Sequence, residues 1–257
     1  MNRAFINRFT FAISAALLML PLCAEAQEVV DLEGKRIQIN FTDTPPRIDG
    51  DITDEAWKNA TKITDLHQMQ PFEYRAASES TEIYIIYGED AIYVGFFAED
   101  SEPENITRNV LDPGGALRFE DKVTLIIDPF NNQRSGYQFQ VNPNGVRSEA
   151  IYLTGTRPSF DWEGIWNAAA KVVENGWTGE MEIPFKSISF DPNNDLWGVN
   201  FYRHVQRKQE VMAWYSLNGD GHPATSGKMS GITRATQGIG LDVVPAFAGN
   251  YLSLIHI

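Results

Sequence analysis

Apolar side chains recur at every second position in many short stretches of this chain, the pattern of strands with one face in a core and the other in water. Ile37, Ile39 and Phe41 alternate with Gln38 and Asn40. Val123, Leu125 and Ile127 alternate until Asp128-Pro129 ends the run, and Tyr137, Phe139 and Val141 alternate with Gln138 and Gln140 until Asn142-Pro143-Asn144-Gly145 turns the chain back. Residues 83–87 and 92–98 are more continuously apolar, as strands covered on both faces are, and Gly88-Glu89-Asp90 joins them as a hairpin connection does. Further strands are predicted over 168–173, 177–183, 199–205, 211–217 and 239–247. Helical signal is scarce: Thr53-Asp54-Glu55 ahead of Ala56, Trp57 and Ala60 predicts a capped start and about two turns. Short strands punctuated by Gly, Pro, Asn and Asp predict an all-β chain, an antiparallel β-sandwich with one or two short helices.

The ends of the chain differ from its middle. Arg3 and Arg8 precede an apolar run from Phe9 to Leu22 that closes on Ala24-Glu25-Ala26, so residues 1–26 read as a secretory signal and the protein as exported. Residues 27–235 form the predicted sandwich, and Gly238-Ile239-Gly240-Leu241-Asp242-Val243 opens a fresh strand pattern within 236–251. The final Leu252-Ser253-Leu254-Ile255-His256-Ile257 matches the translation of a sequencing-transposon end and reads as a non-native tail.

Cys23 is the only cysteine and falls in the leader, so disulfides, thiolate nucleophiles and cysteine metal sites drop out of the mature chain together. The net charge of −13, with no basic stripe interleaved with aromatics, argues against nucleic acid as a partner. It suits neutral ligands or divalent cations.

Three ordered motifs carry a resemblance. Ile48-Asp49-Gly50 with Glu55-Ala56-Trp57, then Glu120-Asp121-Lys122-Val123-Thr124-Leu125-Ile126-Ile127-Asp128-Pro129, then Gly176-Trp177-Thr178-Gly179-Glu180-Met181-Glu182-Ile183-Pro184-Phe185 resemble carbohydrate-binding module family 9 over roughly residues 45–235. The stretches 128–137 and 183–190 further resemble bacterial proteins that place such a domain before a C-terminal outer-membrane β-barrel of unknown function. The resemblance implies a carbohydrate ligand and a location in the periplasm or outer membrane of a Gram-negative bacterium. It also implies a barrel continuing beyond this chain, through which alone the protein associates with the membrane. Trp57, Trp177 and Trp197 are expected in the core, each beside apolar neighbours.

A sugar site needs aromatic faces against the C–H patches of a pyranose and amide, carboxylate or guanidinium groups for its hydroxyls. Loop-like settings point first to Trp162 and Trp166, then to Trp214 and Tyr215, with Arg203 and Gln140 as hydrogen-bonding partners; a structural role for each is at least as plain a reading. The family resemblance implies a terminal sugar clamped between two tryptophans. This chain has Arg118-Phe119 at the first of those places, Gly221-His222-Pro223 at the second, and Gln140 where the family has a strand arginine, which leaves Phe119 and His222 as the local substitutes. Asp191, Asn193 and Asp195, and the acidic turn from Asp49 to Glu55, are candidate ligands for the structural calcium that the resemblance implies, with free acidic turns as the alternative. No other cofactor is indicated. Glycoside hydrolysis by paired carboxylates is a third reading behind glycan binding and a structural role beside a barrel; no nucleophile elbow, zinc motif, phosphate loop or dinucleotide fingerprint appears.

Overall fold

Alternating side chains become fourteen strands in the computed structural model, which describes residues 34–112, 116–154, 157–219 and 221–235. The leader 1–26, the strand expected over 239–247, the start of a barrel and the final six residues lie outside the described residues. In chain order the strands are β1 (Arg36–Gln38), β2 (Asn40–Phe41), β3 (Thr61–Ile63), β4 (His67–Gln70), β5 (Thr81–Tyr87), β6 (Ala91–Glu99) and β7 (Lys122–Asp128). They continue as β8 (Gly136–Val141), β9 (Arg147–Tyr152), β10 (Asn167–Val173), β11 (Gly176–Pro184), β12 (Trp197–Val205), β13 (Glu210–Ala213) and β14 (Gly227–Ser230). One sheet runs β1-β14-β12-β7-β8-β9, with β13 also on β12 and β4 on β13; the other runs β10-β11-β6-β5-β2, with β3 also on β5.

The inward residues of the two sheets make one core. Val123, Leu125, Phe139, Val199 and Phe201 from the first sheet meet Ile83, Ile85, Val94, Phe96, Met181 and Ile183 from the second. Trp177 and Trp197 are buried within it, as expected. The sandwich is not wholly antiparallel. The stretch from Ile37 to Phe41 divides at buried Ile39, its first half pairing parallel with β14 and its second half parallel with β5, so one short segment stitches both sheets together. The crossing runs against Gly231, whose φ is +105° and where a Cβ would stand 2.6 Å from the Ile39 carbonyl oxygen.

No α-helix occurs among the described residues. The expected helix after Thr53 is a single 3₁₀ turn, Glu55–Asn59, and Asp54 does not cap it: its Oδ2 instead accepts a hydrogen bond from the Arg47 amide at 2.7 Å. The turn exists to place Trp57. Its ring lies on Gly95 of β6, where a Cβ would be 3.1 Å from three ring atoms, and its Nε1 donates to Glu180 Oε1 at 3.0 Å. Glu180 Oε2 accepts from the amides of Asp49 and Gly50, both at 2.8 Å, so the first and third motifs are bonded to each other over the outer face of the second sheet. Strand β13 is shorter than expected because the Asn200 side chain takes over the backbone N–H and C=O of Tyr215, where a ladder would have continued.

Candidate functional site

The other face of the first sheet is concave. Since β7, β8 and β12 turn Leu125, Phe139 and Phe201 inward, the same alternation turns Thr124, Ile126, Gln138, Gln140, Tyr202 and His204 outward. Register lines them up: Tyr202, Thr124 and Gln140 share one row across three strands, and Val211, His204 and Lys122 share the next. Met69 and Gln70 of β4 and Val211 of β13 form one wall, and Gly219 and Gly221 form a rim, enclosing a groove of about 270 Å³. Beneath it Met69, Ile126, Tyr152, Tyr202 and Ala213 make a small apolar cluster separate from the main core.

The polar groups of this floor are oriented by one another. Gln140 Nε2 donates to Thr124 Oγ1 at 3.1 Å, and Tyr152 Oη donates to Gln138 Oε1 at 3.1 Å. The Gln140 amide oxygen and the Gln138 amide N–H groups are thereby left for a ligand. Asn200 Nδ2 donates to Tyr202 Oη at 2.6 Å, fixing a phenol ring that lines the groove. Burial, helped by the charge of Lys122 across the ladder, holds the His204 imidazole down to about 3, so it is neutral at physiological pH. Lys122, on the same face in that row, is buried, donating from Nζ to the Leu117 carbonyl at 2.7 Å, and burial brings its ammonium down to about 8. The lining is therefore amide, hydroxyl, imidazole and hydrocarbon, without a charged side chain.

Two buried clamps hold the rim. Ser216 Oγ donates to Glu73 Oε1 at 2.9 Å, which makes it the acceptor for His67 Nε2 at 2.9 Å; Glu73 Oε1 also accepts from the Gly219 amide. His67 must then carry its proton on Nε2, and its Nδ1 is buried without a partner. On the other side Glu120 accepts from the amides of Asn109 and Val110, and Asp121 from those of Thr107 and Gln206. The Glu120-Asp121-Lys122 motif is thus a fastening for the long loop that enters β7.

Residues 48–229 match the carbohydrate family 9 binding domain-like family. The chain belongs to that family. Two carbohydrate-binding module family 9 structures from Caldicellulosiruptor kristjanssonii are similar, one in complex with cellotriose and one with glucose. They share 15% and 16% identity with this chain, each covering 82% of it and 100% of their own length, with TM-scores of 0.54 and 0.52. A candidate carbohydrate-binding protein from Bacteroides uniformis ATCC 8492 has 12% identity and a TM-score of 0.61, covering 76% of this chain and 98% of its own. No curated protein matches the sequence.

This family 9 domain distributes the residues expected to bind sugar over quite different environments. Trp166 and Trp214 are core residues at 2% exposure, their indole N–H groups donating to Glu149 and Asp65. Trp162 is half-buried against Tyr137 and Phe139, on the inner side of the first sheet and away from the groove. Trp166 and Trp214 are corrected to packing roles, because a ring enclosed by core side chains offers no face to a ligand, and Trp162 packs on the inner side of the sheet rather than at the groove. Arg203 also lies between the sheets, donating to the carbonyls of Ser80 and Glu99 and to Thr81 Oγ1, and is 1% exposed. Gln140 alone of the set lines the groove. His222 follows the rim residue Gly221 and is half-buried, its Nδ1 accepting from the Ala224 amide; Tyr215 is half-buried and held by Asn200. Arg118 and Phe119 are exposed in the turn before β7.

Asp191 Oδ1 accepts from Asn193 N and Nδ2, which closes an Asx turn, and Asp49 and Asp51 accept from Asp51 N and Thr53 N in the same manner. No group of three or more His, Cys, Asp or Glu side chains that could hold a metal occurs among the described residues. In Asp191, Asp49 and Asp51 alike the carboxylate oxygen closes the turn that carries it. Thr124, Gln138, Tyr202, His204 and the β4 wall were not foreseen as site residues. Alternation already placed Gln138 beside Gln140 on a polar face, and that was the available signal.

Proposed function

We propose that this domain is a non-catalytic glycan-binding module and that the glycan lies in the groove on the outer face of the first sheet. The observation that carries the reading is the uncharged floor, where the oriented amides of Gln138 and Gln140 stand beside Thr124, Tyr202 and His204 over an apolar base. Such a surface offers donors and acceptors to hydroxyls and hydrocarbon to ring C–H groups. Membership of the family supports the ligand class. The leader-like residues 1–26 support export, and the barrel resemblance supports an envelope protein linked to polysaccharide catabolism.

Calorimetry against soluble oligosaccharides, preceded by a glycan array, tests the site. Gln138→Ala and Gln140→Ala each remove about 1 kcal/mol of hydrogen bonding, a loss of roughly fivefold in affinity. Silence across plant, algal and bacterial polysaccharides would overturn the reading. N-terminal sequencing of the protein recovered from a cell envelope fraction tests export, with a mature start at Gln27 expected.

A further inference from the structure

The row Gln70, Val211, His204, Lys122 marks one end of the groove, and two loops leave the sheet there. Since β4 and β7 run in opposite directions, the chain after Gln70 and the chain before Lys122 emerge at the same end. Phe72 follows Gln70 within about 7 Å of chain and Phe119 precedes Lys122 within about 10 Å. Three strand spacings, about 14 Å, separate their strands, a span of a few sugar rings. Both phenylalanines are exposed, at 53% and 66%, and each carries an arginine on its ring: Arg75 at 4.1 Å from the Phe72 centroid and Arg118 at 5.3 Å from that of Phe119.

These platforms are pre-formed. Tyr74 N donates to Gln68 O, Gln68 N to Arg75 O and Arg75 N to Phe72 O, so the Phe72 turn is tied to β4. The Leu117 carbonyl accepts from Lys122 Nζ and from the Glu120 amide, which ties the Phe119 turn to β7. The carboxylates flanking the two arginines, Glu73, Glu120 and Asp121, all accept from N–H or O–H groups elsewhere. Among the described residues neither Arg75 nor Arg118 has an ion-pair partner. Both guanidinium groups sit on the two loops that leave the sheet at this end of the groove, in a chain of net charge −13. A guanidinium laid on an aromatic ring keeps its in-plane donors free for a planar or tetrahedral anion. At physiological salt charges are screened beyond about 8 Å, so the arginines act on an anion by direct contact, with the Glu73, Glu120 and Asp121 carboxylates turned to their own hydrogen-bond donors.

We propose that this mouth is an anion subsite, and that the glycan taken by the groove is acidic, bearing uronate carboxylates or sulfate esters held by Arg75 or by Arg118. The inference rests on the groove being the glycan site. The uncharged floor takes hydroxyls of one ring while the arginines take acidic groups of rings at the mouth. Calorimetry on the full chain with neutral, uronate and sulfated oligosaccharides of equal length, at low and high salt, tests it. At least one acidic series is expected to bind about tenfold tighter than the neutral one, with an affinity that falls as salt rises. Arg75→Ala with Arg118→Ala abolishes that preference, bringing the acidic series to the affinity of the neutral one in the same variant; Arg75→Lys with Arg118→Lys recovers only part of it, because an ammonium lacks the fork. The uronate and sulfate arms separate the two sources of charge. Equal or better binding of the neutral series, or an acidic preference that survives the double alanine variant, overturns the anion subsite alone. Silence in all three series overturns it together with the glycan-binding reading.

Discussion

Replacing Glu180 by glutamine tests how the family motifs hold this fold. The carboxylate, fully buried, accepts from Asp49 N and Gly50 N through one oxygen and from Trp57 Nε1 through the other. Burial pushes its pKa above the ordinary carboxylate range, and the three N–H donors offset part of that rise. An amide has one acceptor oxygen. Oriented toward the two backbone amides, it sets its own NH₂ against the Trp57 N–H, leaving a buried donor unsatisfied at a cost of about 2 kcal/mol. Glu180→Ala strips all three donors and opens a void, for about 4 kcal/mol or more. At 2–4 °C per kcal/mol for a domain of this size, thermal unfolding should fall by about 4–8 °C in the glutamine variant and at least twice as far in the alanine variant. The 45–60 segment should become protease-sensitive in both. A glutamine variant melting within about 1 °C of the parent would refute the argument, since three short bonds to a fully buried carboxylate could then not be what fixes Trp57.

Gly95→Ala should destabilise by about 1–3 kcal/mol, because its methyl would press on three Trp57 ring atoms at 3.1 Å; the measurement is urea unfolding, and combined with Glu180→Gln its effect should be non-additive. Burial, with Lys35 adding to it, depresses the His67 pKa to about 4; the unfolded chain therefore binds the extra proton first, and stability present above about pH 6.5 should be lost as pH falls toward 4. His67→Gln should flatten urea midpoints over that window. Burial pushes the Glu79 pKa up, but Lys208, Ser101 and Arg207 outweigh it and hold it near 2, so its contribution is present above about pH 4.5 and lost as pH falls toward 2. Glu79→Gln should therefore cost stability at pH 7 and far less at pH 2 in the same unfolding assay.

Period-two alternation by itself determined that the chain is a sandwich and which side chains of each strand share a face: Leu125, Phe139 and Phe201 inward, Thr124, Gln140 and Tyr202 outward. That follows from the pleat, a local property of consecutive residues. Local sequence equally marked the Trp57 turn and the core positions of Trp177 and Trp197, where a large ring stands beside apolar neighbours. It could not foresee that Ile37 to Phe41 would divide between the sheets, since parallel pairing with β14 and β5 joins residues far apart in the chain. It also misplaced Trp162, Trp166 and Trp214, because a loop-like stretch reads alike whether it rims a groove or folds under a sheet. Strand order and register alone put Met69, Thr124, Gln138 and His204 into one hollow, and the opposed directions of β4 and β7 alone brought Phe72 and Phe119 to the same end of it. Alternation assigns a face to each strand; long-range hydrogen bonding decides which faces become neighbours.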